Sequence, residues 1–437
     1  MPSPLKVAVI GAGVSGLVAA RELQREGHDV VVFEKSNHVG GTWFYDPKTE
    51  SDPLGIDPTR DPVHGSLYLS LRTNLPRQLM DFSDYPFAKR ESGDPRTFPG
   101  HEEVLRFLED FAGEFGIRGL TRFETEVVKV ERKGSEWTVE SRTSRLGDSV
   151  SREEFDAVVV CSGHFSVPKL GEVPGIDTWR RPTFIPITTE FLNLSRIRHV
   201  VILIGLGPSS FDLSREISQV AKEVHVATRL SSDSPSLKFE NYQNITFHTT
   251  IKRVYEDGLV AFEDGFSVYA DAIIHCTGYK YDLPFLVTNG TVTVEDNRVG
   301  PLYKHVFPPA LAPWLSFIGL TSKDPVFHII ELQCKWVARV LSGKIMLPTE
   351  EEMMESVKEY YQLMEKNGLP KHYTHFIYPL QGDYKHWLIE QLGLPALKEW
   401  KENMYEECIK NLDQMNHSYR DQWDDIYWDN IIQSSQN

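Results

Sequence analysis

The chain has 437 residues of ordinary globular composition, 41% apolar and 25% charged, which is long enough for two domains. Its formal net charge of −16 argues against nucleic acid or an anionic membrane as the main partner, because either would need a basic face. The four cysteines form no CxxC pair, which argues against a disulfide framework and a structural zinc site. With no signal-peptide pattern and no apolar run of about 18 residues, we expect a soluble cytoplasmic protein.

The N-terminal segment predicts a strand, a helix and a second strand. Lys6–Ile10 is apolar, Val14–Glu26 has helical periodicity and is ended by Gly27, and Asp29–Phe33 is β-branched. The stretch from Asp46 to Pro99 is rich in Pro, Asp, Arg and Ser, which predicts an irregular excursion over the protein rather than sheet core. Long ordered loops of this kind usually carry function.

The middle of the chain repeats this order. The periodicity predicts a helix, two hairpin strands and a buried strand at His101–Phe115, Glu126–Val130, Trp137–Ser141 and Phe155–Cys161. A second strand, helix and strand follow at His199–Ile204, Ser209–Ala221 and Val224–Thr228. Ala270–Cys276 then repeats the pattern of the earlier buried strand, so the two units are interleaved. The sequence predicts an α/β fold of two Rossmann-like dinucleotide-binding domains, the second inserted in the first.

A glycine-rich turn joins the first predicted strand to the first helix. Gly11–Gly16 reads Gly-Ala-Gly-Val-Ser-Gly, which permits a tight turn and the close approach of a pyrophosphate to the helix N-terminus. Glu34, at the end of the second strand, can accept hydrogen bonds from ribose hydroxyls and would repel a 2′-phosphate, which favours FAD or NAD over NADP. The alternative is a purely structural glycine turn. The predicted dinucleotide contacts are Gly11, Gly13, Ser15, Gly16, Glu34, Gly41, Thr42 and Trp43.

The second unit has a related but imperfect turn. Gly205–Ser210 reads Gly-Leu-Gly-Pro-Ser-Ser, where Ser210 is small enough to replace the third glycine and its hydroxyl could bond a phosphate. The following strand ends in Thr228 and Arg229 rather than an acid, and an arginine there suits the 2′-phosphate of NADP. The alternative is a surface arginine behind a turn that binds nothing. The predicted contacts are Gly205, Gly207, Ser209, Ser210, Arg229, Thr277 and Gly278.

Other chemistry-bearing residues show no catalytic pattern. The histidines lack metal-ligand spacing, so we predict no metal site, and no GxSxG element supports a nucleophilic serine. The acidic, tryptophan-rich tail around Trp423 and Trp428 is interpreted as a solvated amphipathic end without a functional role.

Several motifs together resemble the flavin-containing monooxygenases, over nearly the whole chain. They are the Gly-Gly-x-Trp element at Gly40–Trp43, the Leu-Arg-Thr-Asn-Leu-Pro stretch at Leu71–Pro76 and the strand end at Cys276–Tyr279. The chain looks most similar to the soluble plant branch related to glucosinolate S-oxygenases. That likeness rests on Glu-Ser-Asp-Pro-Leu-Gly from Glu50, Asp-Tyr-Pro-Phe from Asp84 and Tyr-Arg-Asp-Gln-Trp-Asp-Asp from Tyr419.

The resemblance implies an FAD-binding domain over 1–170 and 285–437 and an NADPH-binding domain over 171–284. NADPH would reduce the flavin, and O₂ would add at flavin C4a. The resulting C4a-hydroperoxyflavin would oxygenate a soft nucleophile, a thioether sulfur or an amine nitrogen, while bound NADP⁺ shields it. Asn74 matches the family's active-site asparagine, whose amide would donate to the hydroperoxide and accept from the nicotinamide.

One segment departs from the family pattern. Between the two units the family carries Phe/Trp-x-Gly-x-x-x-His-x-x-x-Tyr/Phe, whereas Trp179–Phe191 has Arg181 at the glycine, Ile185 at the histidine and Thr189 at the aromatic position. This change leaves two alternatives to the monooxygenase: an uncoupled NADPH oxidase that releases H₂O₂, or a non-catalytic FAD-binding protein that acts through a partner. The excursion over Asp46–Pro99 and the segment Ser322–Glu331 are predicted pocket walls.

Overall fold

The computed structural model describes residues 3–46, 67–143, 149–185, 199–229, 242–322, 325–378, 380, 382–413 and 418–435. In chain order the helices are α1 (Val14–Arg25), α2 (His101–Glu114), α3 (Pro208–Ser218), α4 (Val326–Leu341), α5 (Glu350–Lys366), α6 (Tyr384–Leu392), α7 (Glu399–Asp413) and α8 (Asp425–Ser434). Within the described ranges, no helix is long and apolar enough to cross a lipid bilayer.

The strands of the first half are β1 (Lys6–Ile10), β2 (Asp29–Phe33), β3 (Thr121–Arg122), β4 (Thr125–Lys133), β5 (Glu136–Thr143), β6 (Val150–Phe155), β7 (Ala157–Val160), β8 (Val167–Pro168), β9 (Thr183–Phe184), β10 (Val200–Ile204) and β11 (Glu223–Ala227). Those of the second half are β12 (Ile245–His248), β13 (Ile251–Val254), β14 (Leu259–Phe262), β15 (Ser267–Tyr269), β16 (Ala272–His275), β17 (Tyr279–Lys280), β18 (Leu286–Val287), β19 (Thr293–Glu295), β20 (Arg298–Gly300) and β21 (Leu315–Phe317).

The first sheet is parallel and has the order β21-β7-β1-β2-β3. Its central strand β1 is fully buried from Val7 to Val9, as expected where helices cover both faces of a parallel sheet. Leu17 and Val18 of α1 pack with Ile329 and Ile330 of α4 in the core of this unit. The sheet therefore draws its strands from both ends of the chain.

The second sheet repeats this arrangement with the order β12-β11-β10-β16-β9, also parallel. The chain leaves the first unit at β8 and returns at β17, and these two short strands pair antiparallel at the crossing. The predicted fold class, with the second Rossmann-like unit inserted in the first, is thereby confirmed. The domain boundaries in residue numbers stay a prediction.

Besides shifts of one to three residues at the ends of other strands, the structure departs from the predicted strands at one interruption and in one unpredicted sheet. The strand predicted at Phe155–Cys161 is interrupted at Asp156, whose carboxylate accepts from the Lys6 amide at 2.7 Å and whose own amide donates to the Lys6 carbonyl at 2.9 Å. Phe155 therefore ends the hairpin strand β6, and the central strand β7 begins at Ala157. The antiparallel sheet β13-β14-β15 was not predicted, although its two Glu-Asp-Gly turns are a known hairpin signal.

The interpretation of the C-terminal tail as a solvated end is wrong. Tyr419 is 2% exposed and Trp428 is 6% exposed, and the rings of Trp423 and Trp428 stack with their centroids 5.7 Å apart. Phe98, at the end of the excursion, packs edge-on against both Tyr419 and Trp423. One face of the tail is therefore buried against the described part of the excursion, while Ile426 and Tyr427 on its other face stay exposed.

Candidate active site

The turn between β1 and α1 admits only glycine at two positions. Gly11 has φ +102°, and a Cβ there would lie 2.6 Å from the Cys161 carbonyl oxygen. A Cβ on Gly16 would lie 1.8 Å from the Gly11 carbonyl oxygen. These close contacts reflect the tight turn and the close packing of helix against strand that a dinucleotide-binding glycine turn requires.

The middle of the same turn forms a cradle with the next loop. Gly13 is the N-cap of α1 and supplies no side-chain cap, which leaves first-turn N–H groups available to an anion. A Cβ on Gly41, which has φ +55°, would lie 2.9 Å from the Gly13 Cα, so Gly41 does not tolerate a side chain. Among the described groups, the buried Thr42 Oγ1 has no hydrogen-bond partner. An unfilled polar atom beside a glycine-walled helix terminus fits the pyrophosphate of FAD.

Glu34 faces this turn from the end of β2, where it is 9% exposed. Its Oε2 accepts from the Ala12 amide at 2.8 Å, and its Oε1 accepts from the Ser36 amide and hydroxyl at 2.8 and 2.7 Å. Because each carboxylate oxygen has two lone pairs, Oε2 keeps one acceptor position for a ribose hydroxyl. The ribose contact itself stays a prediction.

Two further predicted FAD contacts pack against the C-terminal half of the first unit. The Ser15 side chain faces Gly319, where a Cβ would lie 2.3 Å from Ser15 Oγ. Trp43 packs edge-on against Phe327 at 6.2 Å between ring centroids. Sequence reasoning missed Gly319, which has φ +80° just after β21. A glycine within two residues of the end of a buried strand was the available signal.

The second glycine turn repeats the first in geometry. Gly205 has φ +101°, and a Cβ there would lie 2.5 Å from the Cys276 carbonyl oxygen. Gly207 is the N-cap of α3 without a side-chain cap, Pro208 occupies the first helical position, and Ser209 is half-buried beside it. The helix terminus is therefore open to a phosphate here as well.

Ser210 is packed where the third glycine of the first turn would lie. Its side chain is 0% exposed, and its hydroxyl has no hydrogen-bond partner among the described groups. Because the residue is small, α3 can pack closely against the adjoining strand. A phosphate contact from the Ser210 hydroxyl stays a prediction.

Arg229 lies exposed just after β11, at the end where the second turn opens. Burial lowers the pKa of His372, and the charges of Lys169 and Arg229 lower it further against the opposing effect of Asp296, so two cations lie near this end of the sheet. Such a neighbourhood suits a 2′-phosphate.

Thr277 and Gly278 lie at the crossing between the units rather than in the open turn. Thr277 Oγ1 donates to the Lys169 carbonyl, and the Lys169 amide donates to the Gly278 carbonyl at 2.8 Å. Gly278 has φ +80°, which lets the chain turn back toward the first unit. These two residues therefore lie in the crossing segment that leads back to the first unit. Any cofactor contact from them stays a prediction.

Asn74 is held by the tail that sequence reasoning left without a role. Its carbonyl accepts from the Tyr419 hydroxyl at 3.0 Å, and its Oδ1 accepts from Arg420 Nη2. The same guanidinium binds Asp212 of α3. Tyr419, Arg420 and Asp212 were missed as site residues, although the first two stand in the tail motif that carries the plant-branch resemblance. The available signal was that motif.

The departing segment is packed against the second unit as far as it is described. Trp179 is 8% exposed and Ile185 is 2% exposed. Arg181, at the family's glycine position, donates to the Ala270 carbonyl at 2.8 Å and the Asp257 carbonyl at 2.9 Å. The remaining positions, including Thr189, lie outside the described residues, as does the motif at Glu50.

Two parallel-sheet units, each with a glycine turn opening onto a helix N-terminus, define a flavoprotein oxidoreductase with two dinucleotide sites. The family model FMO-like, described as flavin-binding monooxygenase-like, matches residues 4–241 and 235–392. Flavin-containing monooxygenase FMO GS-OX-like 2 of Arabidopsis thaliana is 51% identical over 433 residues, covering 96% of this chain and 91% of the relative. FMO GS-OX5 of the same plant is 50% identical over 430 residues, with 96% and 92% covered.

The solved structure of S-allyl-L-cysteine S-oxygenase from Allium sativum superposes with a TM-score of 0.92 at 49% identity, covering 99% of this chain and 98% of that one. The chain belongs to the flavin-binding monooxygenase-like family. It is a flavin-containing monooxygenase, an oxidoreductase whose cofactors are FAD and NADPH. The resemblance to this family and the predicted cofactor pair are thereby confirmed.

Proposed function

We propose that this enzyme uses NADPH and O₂ to oxygenate a soft nucleophile, a thioether sulfur before an amine nitrogen, through a C4a-hydroperoxyflavin. The overall reaction balances as thioether, O₂, NADPH and H⁺ giving sulfoxide, NADP⁺ and water. Bound FAD supplies the oxygen-activating chemistry, and the protein supplies placement and exclusion of water. The small-molecule substrate and O₂ are its expected partners, and a cytoplasmic location stays a prediction.

The observation that carries this proposal is the position of Asn74 between the two units. Leu71 packs against the core of the second unit, whereas Leu75 packs against the core of the first. A flavin held by the first unit and a nicotinamide held by the second must meet where the units adjoin. In this proposal an amide at this junction would donate a hydrogen bond toward the flavin and accept one from the nicotinamide.

The other predicted site residues have separate tasks in this proposal. The turn at Gly11–Gly16 and the cradle residue Gly41 hold the FAD pyrophosphate, and Glu34 accepts from the ribose. The turn at Gly205 holds the NADPH pyrophosphate, and Arg229 pairs with its 2′-phosphate.

A thioether is preferred because of the relative with a stated sulfur substrate. The Allium sativum enzyme is an S-allyl-L-cysteine S-oxygenase, and this chain matches it at 49% identity over nearly its whole length. Sulfur in a thioether is also the softer nucleophile toward an electrophilic oxygen. An S-alkyl cysteine and a methylthioalkyl compound are therefore the first substrates to test.

The test uses FAD-loaded protein, NADPH and ¹⁸O₂ with S-allyl-L-cysteine, a methylthioalkyl compound and a tertiary amine. We expect a sulfoxide that carries one ¹⁸O atom for each NADPH consumed, measured by mass spectrometry and NADPH absorbance. Absence of oxygenated product from every compound in the panel would overturn the proposal.

The altered segment after Trp179 supports one second candidate, an uncoupled NADPH oxidase. In that case H₂O₂ released would equal NADPH consumed whether or not a thioether is present. The anchoring of Arg181 on the second unit favours the coupled enzyme, because the described part of this segment remains packed. A flavin that NADPH never reduces would instead support the non-catalytic alternative.

A further inference from the structure

A buried ion pair joins the C-terminal tail to the helix of the second unit. Arg420 Nη1 and Nη2 donate to the two carboxylate oxygens of Asp212 at 2.9 and 3.0 Å, and the two side chains are 8% and 12% exposed. Burial opposes the charge on Arg420, but the Asp212 carboxylate outweighs it and raises the guanidinium pKa. This is the bidentate geometry that makes an arginine pair both strong and directional.

The same guanidinium determines which way the Asn74 amide points. Arg420 Nη2 donates to Asn74 Oδ1. Because a guanidinium has donors and no acceptor, only the amide oxygen of Asn74 can face it. The amide nitrogen, with its two donors, must then face away from Arg420. The Tyr419 hydroxyl, bonded to the Asn74 carbonyl at 3.0 Å, holds the backbone of the same residue.

The helix carrying Asp212 is also attached to the segment just before Asn74. The Tyr68 hydroxyl donates to Asp212 Oδ2 at 3.2 Å, and the Ser70 hydroxyl donates to Glu216 Oε2 at 2.7 Å. Both acids lie on α3, which begins at the second glycine turn. A shift of α3 would therefore be transmitted to Asn74 from both the tail and the preceding segment.

We propose that Arg420 is a positioning residue that orients the Asn74 amide toward the flavin and couples that orientation to the docking of the NADPH-binding unit through Asp212. The proposal rests on the proposed function insofar as it gives Asn74 its task. It assigns to the tail an attachment between the units that does not depend on the altered segment after Trp179. Arg420 acts through Asn74 and Asp212, and it is not itself a catalytic residue.

The test separates the two contacts of Arg420 in FAD-loaded protein. Arg420→Lys keeps a positive charge for Asp212. A single ammonium group cannot also donate to Asn74 as the second guanidinium nitrogen does. Asp212→Asn removes the carboxylate charge that Arg420 pairs with, as well as the weaker pair with Arg215 at 3.7 Å, and leaves the contact between Arg420 and Asn74. Arg420→Met removes both contacts. The matched control is Asp421→Asn. Asp421 is an exposed carboxylate of the same tail, and the substitution weakens its ion pair with Arg72 of the excursion.

Two readouts are measured: the dissociation constant of NADP⁺ by calorimetry, and the rate of H₂O₂ release with NADPH and no substrate. Losing a charge-assisted contact predicts about tenfold weaker NADP⁺ binding for Asp212→Asn and Arg420→Met, with Arg420→Lys close to wild type. Peroxide release should rise about tenfold for Arg420→Lys and Arg420→Met. Asp421→Asn should match the wild type in both.

The proposal is overturned if Arg420→Lys and Asp212→Asn both behave as Asp421→Asn does. If Arg420→Met does not retain FAD, the test of the proposal rests on Arg420→Lys and Asp212→Asn alone. A second check places Arg420→Lys in an Asn74→Ala background, where its effect on peroxide release should disappear. If it persists, Arg420 does not act through Asn74.

This design separates the inference from the proposed function. A wild type that oxygenates no thioether or amine, with NADP⁺ affinity still lowered by Asp212→Asn and Arg420→Met, would remove the substrate proposal and keep the coupling. If the wild type makes sulfoxide and the Arg420 variants are indistinguishable from the control, the substrate proposal is kept and the coupling through Arg420 is removed.

Discussion

The carbonyl oxygen of Cys161 lies 2.6 Å from the position that a Cβ would occupy on Gly11. Because Gly11 and Cys161 directly follow the paired strands β1 and β7, neither residue can move without disturbing the sheet or the turn. Gly11→Ala should therefore prevent FAD retention. The measurement is flavin per chain after purification, with Gly113→Ala as the control, since a Cβ on that helical glycine meets nothing within 4 Å. Full flavin content in Gly11→Ala would contradict the assignment of this turn.

A substitution in the second glycine turn should impair flavin reduction by NADPH without affecting flavin content. A Cβ on Gly205 would lie 2.5 Å from the Cys276 carbonyl oxygen, so Gly205→Ala distorts the turn that opens α3. We expect flavin content to stay normal, while reduction of the flavin by NADPH slows by at least about tenfold. Stopped-flow absorbance measures that rate. Loss of flavin together with slow reduction would mean that the two sites are not separate.

Arg229 should discriminate NADPH from NADH. Replacing it with glutamine removes a charge-assisted contact of about 1.5–3 kcal/mol, which corresponds to a rise of roughly 10- to 150-fold in the KM for NADPH. The KM for NADH should stay nearly unchanged because NADH has no 2′-phosphate. Lys222→Gln, at an exposed cation that pairs with Glu223 at 2.9 Å, is the charge-matched control. Equal effects on both nucleotides would remove Arg229 from the 2′-phosphate site.

Asn74 should affect oxygenation without affecting cofactor retention. Asn74→Ala removes the amide donor, and the loss of one such preorganised donor costs about 10²- to 10³-fold in rate. Sulfoxide formation should fall by that factor, while flavin content stays normal and NADP⁺ affinity falls by no more than the roughly two- to tenfold cost of one lost neutral hydrogen bond. Product analysis and calorimetry make the comparison. A rate near that of the wild type would mean that this amide is not part of the reacting site.

His375 should make the fold sensitive to mild acid. It is 1% exposed, its Nε2 hydrogen-bonds to the Val299 carbonyl at 3.1 Å, and its Nδ1 lies 3.2 Å from Nδ1 of His305. Burial, with the neighbouring His305, depresses the pKa of His375 well below its usual value. The unfolded chain therefore binds the proton first as pH falls below about 6.5. The stability present above that pH is then lost progressively on acidification.

Each unit of depression in the pKa of His375 corresponds to about 1.4 kcal/mol. Thermal midpoints measured from pH 7.5 to pH 5 should fall more steeply for the wild type than for His375→Gln. The exposed His386, half of whose side chain is accessible, supplies the control His386→Gln. Parallel slopes in wild type and His375→Gln would show that this histidine does not cause the sensitivity.

Local patterns were sufficient for the first nucleotide unit. The predicted strands at Lys6–Ile10 and Asp29–Phe33 match β1 and β2 in both bounds. Short apolar runs that flank a glycine turn and its helix can form few structures other than strands. The split at Asp156 was missed because it depends on hydrogen bonds to Lys6, far away in the chain. Hydrophobic periodicity carries no information about such a partner.

Chain order and residue type determined the fold class, the two glycine turns and the cofactor pair, since each depends on residues that are close in sequence. Tertiary structure alone decided that Ser210 is fully buried and that one face of the tail packs against the excursion. It also brought Arg420 onto Asn74, 346 positions away. Packing of distant aromatic faces holds that contact, and no local pattern encodes which distant faces will meet.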